Sequence, residues 1–388
     1  MTPRPTPSPS TPSPSTPSTR FTLPPELGAT EPPEQRGLAR DEVRLLVAAA
    51  DRQVRHALFR DLAAFLRPGD LVVVNTSATR AAAVDGWRAD GRPVTVHVSH
   101  QVPHGRDWVV ELRSPGGAAQ IRDARAGDAL RLPRGVTATL LAAHPDPVRD
   151  VGSRLWVARV PVEGGVPGWL DRVGRPITYG HLRVRPPLAA YQTVFSRDPG
   201  SAEMPSAGRP FTSHVLAELA RRDVEVAEVT LHTGVSSTEA GEAPPVEWYR
   251  VPDITAHRVT EARSRGGRVV AVGTTVVRAL ESVAGPDGSL RAGSGFTDLV
   301  LGPNRSCRVV DGLVTGWHEP EASHLLLLEA LAGPDLVERA YAAALAARYR
   351  WHEFGDSCLL LPRPRPAPAG SAATLDGWTR PLPSRGSW

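Results

Sequence analysis

The run VAVGTTVVRALES, residues 270–282, ends an apolar strand in Gly273, adds two hydroxyls and opens a helix. Backbone N–H groups at such a helix start point outward and hold an anionic or polar ligand. Gly273 allows a ligand to approach the backbone, and Thr274 and Thr275 supply donors and a helix cap. Arg278 and Glu281 lie three apart, on one helix face. The same letters also fit a plain capped helix with a surface ion pair, and the pattern alone leaves both readings open. Two imidazoles occupy comparable places. TLHTG (230–234) puts His232 at the carboxyl end of another strand and is followed closely by Gly234, and VTGWHEP (314–320) puts His318 just past a third. The loop MPSAG (204–208) carries Ser206 and Gly208, and YQTVFSRDPG (191–200) is a second polar loop. Ligands of α/β folds gather at strand carboxyl ends, so these segments are candidates for one pocket. Glu247 precedes Trp248 and Tyr249, which would desolvate it and raise its pKa towards that of a general base; a surface carboxylate is the plain alternative.

The elements that must position these residues fall into two kinds. Residues 71–74 (LVVV) read as a buried strand behind a Pro-Gly-Asp turn. From 93 to 162, the stretches 94–100, 107–113, 129–133, 136–144 and 155–162 are strand-like with turn residues between them, which predicts an all-β unit of about five strands. After about residue 185 strands and helices alternate. Helices are expected at 213–222 (capped by Thr212 or Ser213), 254–265, 276–283, 323–331 and 334–350, and strands at 224–232, 268–275 and 307–315. Such alternation predicts a mostly parallel sheet. The expected organisation is an α/β core over 21–90 and 165–362 and a β insert over 91–164. A Pro/Ser/Thr tail over 1–20 and a low-complexity segment over 363–388 have nothing to bury and are expected to be disordered.

Composition removes several chemistries. All 45 Lys-plus-Arg residues are arginine. That excludes a Schiff-base lysine and a Walker lysine. Cys307 and Cys358, 51 positions apart, argue against a disulfide framework or a thiolate zinc site. No run is long and apolar enough to span a membrane and no apolar signal core opens the chain, so a cytoplasmic location is expected. The net charge of +4 permits an anionic partner without requiring one.

Together these stretches resemble the S-adenosylmethionine:tRNA ribosyltransferase-isomerase family of queuosine biosynthesis. PGDLVVVN (68–75), YQTVFS (191–196), PSAG (205–208), VTLHTG (229–234), VAVGTTVVRALES (270–282), VVDGLVT (309–315), WHEPE (317–321) and YRWHEFGD (349–356) follow in the family's order. The resemblance implies a mixed α/β, barrel-like core with an inserted all-β domain. It implies transfer of the ribosyl moiety of S-adenosylmethionine to the aminomethyl group of a 7-deazaguanine in tRNA, with adenine and methionine released and no metal required. It assigns His232, Glu247 and His318 to acid–base work, and Ser206, Gly208, Gly234, Gly273, Thr274, Thr275 and Arg278 to donor binding. Arg278 is the candidate partner of the methionyl carboxylate. The expected partners are S-adenosylmethionine and tRNA, and the expected state a monomer or weak oligomer. Some family positions differ: Ala78 stands where the family has Arg, and Pro210 and Pro245 stand where it has His. These changes raise two further readings, a divergent enzyme using the same donor on another, small-molecule acceptor, and a non-catalytic binding module on the same fold.

Overall fold

A computed structural model describes residues 16–146, 148, 152–235 and 242–363. In chain order the strands and α-helices begin with β1 (Arg44–Ala49), β2 (Val54–Leu58), β3 (Leu71–Asn75) and β4 (Ser77–Thr79). There follow β5 (Ala83–Arg88), β6 (Pro93–Gln101), β7 (Trp108–Arg113), β8 (Ala129–Leu132), β9 (Val136–His144), β10 (Leu155–Arg159) and α1 (Gly165–Val173). The chain continues through β11 (Asp198–Ser201), α2 (Ser213–Arg221), β12 (Glu225–Leu231), β13 (Glu247–Val251), α3 (Asp253–Ser264), β14 (Val269–Val272) and α4 (Thr274–Ser282). It closes with β15 (Gly293–Thr297), β16 (Gly312–Thr315), α5 (Ser323–Ala332), α6 (Pro334–Ala346) and β17 (Ser357–Leu361).

Nine strands form one sheet in the order β15-β13-β12-β3-β14-β16-β17-β1-β2. Its centre is apolar on both faces, which is why LVVV reads as a continuous hydrophobic run. Leu71 and Val73 pack with Val269, Ala271 and helices α3 to α6, while Val72 and Val74 face Val270, Val272, Phe59, Phe211 and α2. Parallel pairing joins β12 to β3, β3 to β14, β14 to β16 and β1 to β17. The other four pairings are antiparallel. The sheet is therefore mixed where a mostly parallel one was expected, because β17 enters between β16 and β1 and hairpin-like strands extend both edges.

The mixed α/β fold has its closed element elsewhere: β5 to β10 form a six-stranded barrel in the order β10-β7-β6-β5-β8-β9. Val84, Val96, Val110, Leu130, Leu140 and Trp156 fill it, and Val166, Trp169 and Leu170 of α1 pack onto the same cluster. The alternation of apolar residues in these strands puts every second side chain inside. β5 is the sixth strand, beyond the five read from sequence.

Two strands are shorter than expected, for local reasons. The 268–275 strand stops at Val272 because Gly273 has φ 91°, a left-handed conformation that ends the strand and caps α4. The 307–315 strand begins only at Gly312, because the N–H groups of Arg308, Val309 and Val310 donate to the Glu281 carboxylate at 2.7, 2.8 and 3.0 Å. At α2, Thr212 is the cap, accepting from the Val215 N–H.

The two expected terminal tails lie mostly outside the described residues. The end of the first does not behave as an idle tail. Thr19 is buried, its N–H and hydroxyl donate to Glu329 at 2.7 and 2.8 Å, and Arg20 pairs with Glu321. Among the described residues no helix is long and apolar enough to cross a membrane.

Candidate active site

Because β3, β12, β14 and β16 run parallel, their carboxyl ends meet on one edge of the sheet, the place where α/β folds bind ligands. Asn75, the last residue of β3, ties this edge together. Its amide donates to Leu231 O at 2.9 Å and to Thr275 Oγ1 at 3.3 Å, and its carbonyl accepts from the Leu231 N–H at 3.0 Å. The Gly273 N–H donates to Val314 O at 2.8 Å, so the Gly-Thr-Thr turn lies beside the end of β16 and the His318 loop.

A cavity of about 810 Å³ opens over this edge. That is large enough for a nucleoside-sized ligand together with a second group. Ser206, Gly234, Glu247, Gly273, Thr274, Thr275, Arg278 and His318 all line it. Two of the expected residues do not. A Cβ added at Gly208 would point at Thr193 and Phe195, meeting them at 3.5 and 3.6 Å, on the core side of its turn. His232 is held away from the cavity: its Nδ1 bonds to Ser77 Oγ at 2.8 Å and its ring stacks on Trp248 with centroids 5.0 Å apart. Burial pushes its pKa down to about 4.

Glu247 and Arg278 meet each other inside the cavity wall, both less than one-tenth exposed. One Glu247 oxygen accepts from the Gly234 N–H at 2.8 Å and the other takes Arg278 Nη1. Burial raises the Glu247 pKa, with Arg278 and the Gly234 N–H opposing it. Arg278 also donates to Leu299 O at 3.1 Å, Pro245 O at 2.9 Å and Thr297 O at 3.0 Å. A surface ion pair of Arg278 with Glu281, one of the two readings the sequence left open, is not formed: both residues are buried and Arg278 pairs with Glu247 instead.

His318 Nε2 lies 3.0 Å from Thr315 Oγ1, and its backbone is fixed by the Tyr341 hydroxyl and the Trp351 indole. Its ring stacks on that of His324, with centroids 4.5 Å apart and planes 2° from parallel. Burial holds His318 well below the ordinary imidazole range and His324 at about 4. His324 was not picked out from the sequence; nothing in SHLLLLEAL distinguishes a cavity residue from a helix-start polar residue.

Other cavity residues come from distant loops. Tyr179 donates to Glu203, and His181 Nε2 lies 3.0 Å from Glu353 while its ring stacks on His352 at 4.2 Å. Arg113 and Gln120 reach the cavity from the barrel side. Pro245 also lines it, and the cavity's imidazoles come from residues 181, 318, 324 and 352. Among the described residues no group of three or more His, Cys, Asp or Glu is arranged to hold a metal ion.

Residues 16–360 match the queuosine biosynthesis protein family. The S-adenosylmethionine:tRNA ribosyltransferase-isomerase of Symbiobacterium thermophilum is 38% identical over 351 residues, covering 88% of this chain and 98% of that protein. The protein of the same name from Trichlorobacter lovleyi is 34% identical over 352 residues, with the same coverage. A crystal structure of an S-adenosylmethionine tRNA ribosyltransferase from Thermotoga maritima is 30% identical, covers 88% of this chain and 99% of that one, and gives a TM-score of 0.49.

Proposed function

The chain belongs to the queuosine biosynthesis protein family, and on that premise we propose that it transfers the ribosyl moiety of S-adenosylmethionine to an aminomethyl-7-deazaguanine in tRNA, releasing adenine and methionine. The observation that carries the reading is the Gly273–Thr275 turn, which opens into the cavity at the carboxyl edge of the sheet. S-adenosylmethionine fits as the ribosyl-donor substrate. Its sulfonium acidifies the neighbouring C5′ protons and makes methionine a good leaving group.

The residues divide the work as follows. The Gly273, Thr274 and Thr275 turn, with Ser206 and Gly234 of the same cavity lining, receives the polar parts of the donor. His318 is the neutral imidazole placed to take a proton from a reacting carbon or amine, oriented by Thr315. Glu247 and Arg278, already saturated by each other and by backbone groups, fix the shape of the donor wall. Polar groups at the cavity stabilise the departing adenine by hydrogen bonding.

A second acceptor reading keeps the donor and changes the amine. It is favoured by the wall made of His181, His352, Glu353 and Glu203, and by Pro245 where the resemblance implies an imidazole. One experiment tests both: the protein is incubated with S-adenosylmethionine and tRNA carrying the deazaguanine amine, then with small amines. Joint release of adenine and methionine only with the tRNA supports the first reading, and release only with small amines supports the second. Release with neither returns the chain to a binding role.

A further inference from the structure

Among the described residues the cavity is lined by four carboxylates, Glu203, Glu247, Glu319 and Glu353, against two guanidiniums, Arg113 and Arg278. Glu247 and Arg278 cancel one another in their ion pair. Arg113 is already occupied by Glu111 at 3.0 Å, behind the cavity wall. The remaining balance is negative, which suits a cationic ligand. Two stacked imidazole pairs line this acidic cavity, His181–His352 with planes 21° apart and His318–His324 with planes 2° apart, and the second lies beside the Gly273 turn.

An imidazole pair accepts a cation only if it is itself uncharged. His324 is the second residue of α5, where the positive end of the helix dipole disfavours an imidazolium. Burial disfavours the charged form of both rings; Arg278 of α4 adds to this at His324, and His324 adds to it at His318. Tyr341 of α6 contacts the His318 backbone rather than its ring, and Glu319 is largely exposed. Both rings are therefore neutral at physiological pH, with π faces available.

We propose that the stacked His318–His324 pair is the uncharged aromatic wall against which the sulfonium end of the donor lies. His324 is thereby a specificity-determining residue that favours a charged donor over its neutral thioether counterpart. The cation–π attraction of such a wall acts on the sulfonium and not on the uncharged sulfur that remains after its loss. The inference rests on the donor reading above and adds to it a residue and a physical basis for discrimination.

The test is calorimetric titration of the full chain with S-adenosylmethionine and, separately, with S-adenosylhomocysteine. H324A and H324Q, which are neutral but not aromatic, should bind the sulfonium about tenfold more weakly while thioether affinity moves by less than about threefold. H324F, aromatic and uncharged, should restore the preference. Equal loss of both ligands in H324A and H324Q, or an H324F variant that behaves like them, overturns the inference. If the wild-type chain binds neither ligand, the donor reading itself fails, a result distinct from the first.

Discussion

Arg278 of α4 and Glu247 of β13 form a buried ion pair that joins the helix after the Gly-Thr-Thr turn to the antiparallel edge of the sheet. The guanidinium also binds three carbonyls, on residues 245, 297 and 299, so it pins two loops that wall the cavity. Its charge is spent on architecture.

Replacing Glu247 with Gln should therefore act on stability first. It leaves Arg278 buried without a counter-ion, a change that costs about 3–5 kcal/mol. Denaturant unfolding should show the loss, and an E247Q/R278M double variant should recover much of it. An E247Q protein as stable as wild type, but without turnover, would instead mark Glu247 as the general base.

Gly273→Val should abolish donor binding. The residue has φ 91°, and a Cβ there meets Ala207 Cβ and Thr275 Oγ1 at 3.4 Å. Space is thus tight but present, and the backbone conformation is the obstacle; a β-branched residue held at φ 91°, ψ 153° costs about 1–3 kcal/mol and distorts the turn. Calorimetry should find at least a roughly tenfold loss of affinity. Undiminished binding would remove the turn from the donor site.

How much of this was legible in the chain follows from where each signal lies. The Gly273 turn, Ser206, Gly234 and His318 sit in short local patterns at strand ends, and those patterns carry their own geometry. His324, His181, Glu203 and Glu353 reach the cavity from segments far apart in sequence, and no spacing links them. Burial of Arg278 and Glu281 was equally invisible, because their partners, Glu247 and the 308–310 backbone, lie about 30 positions away. His232 shows the converse: a strand-end imidazole whose neighbours, Ser77 and Trp248, turn it aside.

His232→Phe should accordingly lower thermal stability more than turnover. It removes the Ser77 hydrogen bond, worth about 1 kcal/mol, while leaving the cavity lining unchanged. A parallel measurement of melting temperature and adenine release checks this. Loss of release with normal melting would place His232 in the chemistry.

Deleting residues 1–20 should lower the melting temperature. The deletion removes both Thr19 hydrogen bonds to Glu329, each part of a charged-group contact worth about 1.5–3 kcal/mol. A melting temperature equal to that of the full chain would show that this docked stretch contributes nothing.

Stability should also fall on acidification. An imidazole whose folded pKa is about 4 binds its proton more readily in the unfolded chain, where the value is 6.5. His324 and His232 therefore favour unfolding increasingly as pH drops from 6.5 towards 4. H324F should flatten this slope in chemical denaturation across that range, and an unchanged slope would show that His324 is not buried as a neutral group.

The central claim is ribosyl transfer from S-adenosylmethionine to tRNA. The most direct measurement uses donor labelled in the ribose and, in a second reaction, in the methyl group, with tRNA carrying the deazaguanine amine. Ribose label should enter the tRNA in step with adenine release, and methyl label should leave with methionine. Methyl label on the tRNA with release of S-adenosylhomocysteine, or no ribose label on it at all, would contradict the account.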